Sequence, residues 1–530
     1  MPNDCINYQK SGYFSKIIVD YLDEKPELKK FYNRFPKIEN FEAQIAEKKA
    51  NFPSENRTVL VSELEKQYIN FEVSSSTLNN IKLLNDTNTF TVTTGHQLNL
   101  FTGPLYFLYK IVSAVNLSKE LKLNFPDYNF VPIYWMATED HDFDEINYFN
   151  FKNKKIQWQQ ESFGPVGRLS TAGLDDVFKL FENELGIGDN AKFLKELFRK
   201  SYLENSNLAD ATRFLANELF KDEGLVIIDG DSTHLKQLFA PFVKEELLNQ
   251  TSFKNVSETN LHLEAYKIQV NPREINLFYI EDNLRERIIF ENGIYKINTT
   301  SIEFSETEIL VELDKNPEKF SPNVILRPLY QEVILPNLAY IGGGGELAYW
   351  LELKSNFEAN KVTFPMLLLR NSVLLATEKQ VEKADKLNLS WSDLFSDQQD
   401  LFTSKTTEFS EFKIDFSEQK DFLKNQFEKL YEIADRTDKS FIGAVKAQEI
   451  KQLKGLENLE KRLLKAEKRV HTEALDRIFL LQNELFPGQS LQERKANFST
   501  FYLEFGSELI SKLLLELKPL DQEFKVVVLY

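Results

Sequence analysis

Residues 89–137 constrain the fold of this chain more than any other stretch. Thr89-Phe90-Thr91-Val92-Thr93-Thr94 is a short β-branched run that ends at Gly95. A glycine-containing turn follows, then an apolar helix-like stretch over residues 104–121. Residues 129–137 (NFVPIYWMA) form a second run suited to a buried strand. A strand-turn-helix-strand order completed within about 50 residues predicts a parallel, right-handed crossover.

A third strand is expected over residues 224–229 (GLVIID), after a helical stretch at 209–221. It sets Asp229 at a strand's carboxyl end, where open α/β sheets bind ligands. Roughly 85 residues separate the second and third strands, too many for a simple crossover, and predict an inserted module. Residues 268–313 turn to short alternating runs (INLFYI, RERIIF, GIYKI), as in hairpins of a smaller antiparallel insertion. The sheet is expected to resume at 323–327 and again at 362–369, with a glycine run and a helix between. Residues 1–88 read as a helical layer with no strand before Thr89.

Past Leu375 the chain is rich in Lys, Glu and Leu. Leu456, Leu459, Leu463, Ala466 and Val470 keep 3-4 spacing, which Ala474, Ile478, Leu481 and Leu485 continue with a stutter. A partner stripe runs through Phe416, Leu423, Phe427, Leu430 and Ala434. An antiparallel helical hairpin or coiled coil is predicted, with its seam serving as a dimer contact or packing against its own chain. The expected organisation is a helical layer at 1–88, core at 89–150, 209–262 and 323–380, insertions at 151–208 and 263–322, a coiled-coil domain at 381–490, and a return to the core at 491–530, ending in a strand-like 524–530.

The 530 residues carry 64 Lys and Arg against 81 Asp and Glu, a net charge of −17. A surface of that sign repels phosphate backbones, so nucleic acid is not an expected partner. Cys5 is the single cysteine, which excludes an intramolecular disulfide and a multi-thiolate zinc site. No basic-then-apolar leader and no run of about 18 apolar residues is present, so no membrane association is expected and the location expected is cytoplasmic.

Three constellations can carry chemistry. In Thr93-Thr94-Gly95-His96-Gln97, Gly95 admits close backbone approach and His96 supplies a ring nitrogen beside a helix start, a corner suited to an anion. A structural histidine is the alternative. In Glu139-Asp140-His141-Asp142-Phe143-Asp144-Glu145, five carboxylates surround one imidazole. If strand geometry persists, Glu139, His141 and Glu145 face one way and Asp140, Asp142 and Asp144 the other; general base, cation ligand, helix cap and solvated loop are all open. In Gly342-Gly343-Gly344-Gly345-Glu346 a costly backbone points to close approach by a ligand at a helix start, with a plain tight turn as the alternative. Neither a P-loop nor a GxGxxG pattern is present. Arg327 and Arg370 are each expected to end a strand and offer a planar fork to a carboxylate or phosphate.

Taken together, TTGHQ, GPLYFLYK, WMATEDHDFDEI, KFSPNVILRPLYQEVILPNLAYIGGGGELAYW and FPGQSLQER resemble the cysteine ligases of bacillithiol biosynthesis, the BshC family. The resemblance runs in order over nearly the whole chain. It implies an α/β fold with a Rossmann-like parallel sheet resembling class I aminoacyl-tRNA synthetases, interrupted by connecting insertions, plus a coiled coil that supports a homodimer. It also implies addition of L-cysteine to the amine of glucosaminyl-malate, with ATP the suspected activator and a divalent cation compatible with the carboxylates. Gly95-His96 stands in place of the synthetase histidine-glycine motif; Lys319-Phe320-Ser321 echoes KMSKS.

On that basis His96 is expected to stabilise a phosphate or acyl oxyanion. His141, with Glu139 or Asp142, would orient and deprotonate the amine. Asp140 and Asp144 would hold a cation or the cysteine ammonium. Thr94, Gly95, Gln97, Asp229, Arg327, Gly343, Gly344, Gly345, Glu346 and Arg370 complete the expected substrate-binding set. A nucleotidyl transferase acting on another carboxylic acid and a non-catalytic dimeric assembly factor are the competing functions.

Overall fold

A computed structural model describes residues 4–530, which divide into two compact units: Asp4–Leu375 with Leu491–Tyr530, and Ala376–Ser490. The larger unit is built on five parallel strands in the spatial order Met366–Leu369, Asn337–Gly342, Thr89–His96, Asn129–Met136, Val226–Asp229. Numbered in chain order and read from the Val226–Asp229 edge this is 3-2-1-4-5, the doubly wound arrangement of a Rossmann-like sheet. The strands are buried almost throughout because both faces are covered, and the threonines of Thr89–His96 are accommodated by hydrogen bonds such as those of Thr91 and Thr93 to Asn337 Oδ1. Phe90 and Val92 pack with Ala114, Leu117 and Leu121 of the helix Tyr106–Asn124 and with Phe41 and Ile45 of the helix Phe41–Asn51.

The expected strand at 323–327 is not one. Asn323 Oδ1 accepts from the backbone N–H groups of Ile325 (2.9 Å) and Leu326 (3.3 Å), an Asx turn that feeds the helix Arg327–Ile334. Pro328 suits the first helical turn, where its missing N–H costs nothing. Arg327 therefore starts a helix instead of ending a strand, and the fourth sheet strand is Asn337–Gly342. The next strand spans only Met366–Leu369, beginning after Pro365; Arg370 directly follows it.

The N-terminal layer is helical but opens with a strand, Asp4–Asn7, paired antiparallel with Glu523–Leu529. Four residues carry no strand signal of their own; the C-terminal strand supplies the template. The second insertion forms an antiparallel sheet from Leu277–Glu281, Leu284–Glu291, Ile294–Ile297, Glu303–Phe304 and Phe320–Pro322. The helix Glu306–Lys315, started by a Ser305/Glu308 capping box, interrupts it.

In the smaller unit, Ser417–Ala434 and Lys439–Val470 form a helical hairpin closed by Phe427, Ala434 and Val445. The stuttered seam is two helices, since the chain breaks at His471 before Thr472–Leu485. No helix among the described residues is long and apolar enough to cross a membrane.

Candidate functional site

The chain leaves the central strand Thr89–His96 toward one edge of the sheet and leaves Asn337–Gly342 toward the other. Their carboxyl ends flank the switch point, where side chains cannot fill the crevice and ligands bind. A cavity of about 720 Å³ opens there, bounded by the turn after His96, residues 135–142, the tetraglycine turn and the antiparallel insertion. Seven cationic side chains line it, Lys110, Arg273, Arg285, Arg287, Arg327, Arg370 and Arg494, against four carboxylates, Glu139, Asp140, Asp142 and Glu346. In a chain of net charge −17 this is a concentrated excess of positive charge, which attracts anions.

His96 ends its strand, 7% exposed, with Tyr106 and Phe107 edge-on to its ring at 5.3 and 5.1 Å. The imidazole is hydrogen-bonded to the backbone of Thr102, and Nε2 has no partner. A ring that donates to the Thr102 carbonyl through Nδ1 carries its lone pair on Nε2. Burial, then the charges of Lys110 and Arg370, holds the pKa well below the usual histidine range. With its proton on Nδ1 the neutral ring presents Nε2 as an acceptor, whereas the oxyanion role expected from the sequence needs an N–H at that atom.

The carbonyl that fixes this tautomer sits in a strained turn. Phe101 and Thr102 both have positive φ, 47° and 68°, and Gly103 (φ 60°) has room for no Cβ, which would meet Asn99 Cβ at 2.6 Å. The turn is pinned from outside: Phe101 N–H donates to Tyr202 Oη (2.8 Å), and Asn497 Nδ2 donates to the carbonyls of Phe101 (2.7 Å) and Gly103 (2.6 Å).

The tetraglycine turn is already occupied by an anion of its own. Glu346 Oε2 accepts from Gly343 N–H (2.8 Å) and pairs with Lys110 Nζ (2.6 Å), while Oε1 accepts from Tyr340 Oη (2.9 Å). Burial raises the Glu346 pKa, but Lys110, Gly343 and Tyr340 outweigh it and the carboxyl lies below its ordinary value. Lys110 also donates to the Gly95 carbonyl at 2.7 Å. Gly95 lines the cavity, and a Cβ there would lie 3.2 Å from Tyr340 Oη. None of residues 342–345 has positive φ; Gly342 alone is crowded, at 3.1 Å from Glu346 Cβ, and Gly345 faces open space.

Strand alternation does not persist past Met136. Residues 137–142 turn before the short helix Phe143–Ile146, so Glu139, Asp140, His141 and Asp142 all line the cavity. Glu139 is partly buried and ion-paired to Lys236, whose Nζ also donates to the Phe320 carbonyl at 2.7 Å. Burial raises the Glu139 pKa, as burial and then Asp140 raise that of Asp142. Gln97 Nε2 donates to Asp140 (2.9 Å) and Glu145 (3.0 Å).

Asp140, His141 and Asp142 each bring one ligand atom within 4.8 Å of the others. Arg285, however, is bonded to His141 Nδ1 at 2.6 Å and feels the charges of Asp140, Glu139 and Asp142. Any cation held by this set would share it with the Arg285 guanidinium.

Arg370 is bidentate to Glu493 (2.7 and 3.0 Å), both buried, with its guanidinium 5.1 Å from the Tyr106 ring centre. Its Nε, like that of Arg285, is buried without a partner. Arg327 lies against Tyr340, with NH1 donating to Gln331 at 3.1 Å. Gly343, Gly344 and Gly345 line the cavity as well.

Thr94, Asp144 and Asp229 lie outside the lining. Thr94 Oγ1 donates to the Ile341 carbonyl (2.8 Å), and Asp144 accepts from Asn147 at 3.5 Å. Lys319 is spent within the insertion, on Tyr279, Glu281 and Glu312 at 3.0–3.1 Å.

Asp229 accepts from Thr138 and from Asp231 N–H, and burial followed by the Asp231 charge pushes its pKa up to about 6. A carboxyl raised on folding binds more protons in the folded chain than in the unfolded one between pH about 4 and about 6, so its contribution to stability is lost as pH rises through that window. Asp229→Asn should flatten this dependence; equal pH slopes of urea unfolding in wild type and variant would contradict it.

Lys110, Tyr340, Arg273, Arg285, Arg287 and Arg494 did not stand out in the sequence. The alternation in RERIIF puts Arg285 and Arg287 on one strand face and was a usable signal. Nothing local marks Arg494.

The sheet order and the crevice at its switch point define a Rossmann-like α/β protein with a cationic cavity of a kind suited to an anionic ligand. Residues 1–371 match the profile of the BshC N-terminal Rossmann-like domain of bacillithiol biosynthesis, and residues 373–529 that of the BshC C-terminal coiled-coil domain. Curated relatives from Flavobacterium psychrophilum (66% identical, 99% of each chain), Flavobacterium johnsoniae (65%, 99% of this chain and 100% of the relative) and Christiangramia forsetii (57%, 99% of each) bear the name "Putative cysteine ligase BshC". This chain belongs to the BshC family of bacillithiol biosynthesis. A solved Campylobacter jejuni chain titled "putative arginyl t-RNA synthetase" aligns over 83% of this chain and 95% of its own at 11% identity, with a TM-score of 0.20; the fold assignment rests on the sheet order and the family profile instead.

Proposed function

We propose that the protein is a ligase joining the carboxyl group of L-cysteine to the amine of glucosaminyl-malate, with ATP as the activating substrate. The observation that carries this reading is a buried, neutral His96 whose bare Nε2 belongs to a cavity with excess positive charge. The names of the relatives supply cysteine and the ligase class, and glucosaminyl-malate and ATP follow from the family resemblance.

Amide formation from a free carboxylate needs an activated acyl group and a deprotonated amine. The amine nitrogen attacks the acyl carbon, the C–N bond forms, and the bond from that carbon to the phosphate-bearing leaving oxygen breaks. The proton lost by the amine passes to His96 Nε2. The arginines balance the charge of the substrate carboxylates and the leaving phosphate, and the unpartnered Nε groups of Arg370 and Arg285 are free to donate to them.

Purified protein given glucosaminyl-malate, cysteine and ATP should form the thiol amide only when ATP is present, and the nucleotide released, AMP or ADP, identifies the activated intermediate. No product with all three present would reject the reading, and pyrophosphate–ATP exchange with another acid would favour a nucleotidyl transferase. The dimer is proposed to form through the helical hairpin, where Phe422, Leu459 and Val470 are exposed; sedimentation equilibrium of the full chain measures it.

A further inference from the structure

His141 and His96 line the same cavity but are wired in opposite senses. A guanidinium has five N–H donors, no acceptor and a proton it does not release. The 2.6 Å contact between Arg285 NH1 and His141 Nδ1 can therefore only be an N–H···N bond with the imidazole accepting. The ring's one proton then sits on Nε2.

Arg285 is held in place for this. It lies on the strand Leu284–Glu291 opposite Ile280, with its guanidinium 4.0 Å from the ring centre of Phe278 on the neighbouring strand. The same phenyl ring stands 5.7 Å from the His141 imidazole, so one aromatic shelf carries both partners. The hairpin turn is tethered to the core: Arg168 forks onto Asp231 (2.8 and 2.9 Å), next to the carboxyl end of Val226–Asp229, and bonds Asp282 at 3.1 Å.

We infer that Arg285 is a positioning residue that fixes His141 as an Nε2–H donor facing the substrate, the complement of His96, whose Nε2 accepts. The roles expected of the two histidines are thereby exchanged. His96 takes the amine proton, and His141 donates a hydrogen bond to the oxygen that gains charge as the acyl carbon is attacked. No proton leaves His141 in that step. The catalytic consequence rests on the ligase reading; the tautomer does not.

The test is two-bond 1H–15N correlation of histidine-labelled full-length protein, with the His141 signals assigned from their loss in His141→Gln. The expected spectrum has a bare Nδ1 and a protonated Nε2. Arg285→Met keeps apolar contact with Phe278 but removes the donor, and should release the ring to a mixture of tautomers while lowering kcat on the order of 10²-fold. Arg285→Lys retains a donor and should hold the Nε2–H form. A dominant Nδ1–H tautomer in the wild-type protein overturns the inference, whatever the variants do. So does a tautomer ratio unchanged in Arg285→Met. If the tautomers behave as expected and no amide is made under any condition, the ligase reading fails and the wiring stands.

Discussion

Replacing His96 by Asn lowers amide formation by about 10²- to 10⁴-fold and leaves the protein folded. Asparagine can place its side-chain amide where Nδ1 donates to the Thr102 carbonyl, so the turn Leu100–Thr102 keeps its bond while the Nε2 acceptor disappears. The same environment sets the pH profile. Burial, Lys110 and Arg370 keep the imidazole neutral well below pH 6.5, so an acid limb of kcat near the ordinary histidine pKa cannot come from His96. Full turnover in His96→Asn, with an unchanged unfolding midpoint, would remove His96 from the chemistry.

Glu493→Ala costs about 3–5 kcal/mol of stability, because it strands a guanidinium in the interior. Arg370 and Glu493 are 4% and 1% exposed, too dry for solvent to replace the lost partner. Glu493 Oε2 also accepts from Val373 N–H at 3.1 Å, so a backbone donor is orphaned together with the charge. The pair joins the end of the strand Met366–Leu369 to the C-terminal return, and Arg370 in turn borders the cavity. Arg370→Met combined with Glu493→Leu should recover much of the loss, since two apolar groups of similar size replace a desolvated ion pair. A double variant no more stable than Glu493→Ala, by urea unfolding, would show that the strand end and not the buried charge sets the cost.

The parts of the fold legible in the sequence were those with dense local signals. The β-branched run at 89–94, the helix in GPLYFLYK and the strand NFVPIYWM carry period and composition enough to be read alone, and the crossover rule joins them. The stripe of Leu and Phe in the hairpin helices was equally plain. The strand Asp4–Asn7 was invisible because its partner Glu523–Leu529 lies at the other end of the chain. The segment 323–327 was misread because three apolar residues, Val324 to Leu326, resemble a strand until the Asx turn at Asn323 and Pro328 in the first turn of a helix are given their weight.

His96, His141 and the glycine turn were legible as candidates because histidines and glycines at strand ends are uncommon and chemically conspicuous. Their roles were not legible. By itself the sequence determined a parallel sheet, a cluster of titratable groups at its carboxyl edge and a helical hairpin, since these follow from periodicity and residue type over short spans. Only the tertiary structure decided which nitrogen of each imidazole is free, that Glu346 fills the turn that looked open, and that arginines from the insertion and the C-terminal return reach the cavity. Hydrogen bonds and burial between residues hundreds of positions apart set those states, and no local pattern encodes them.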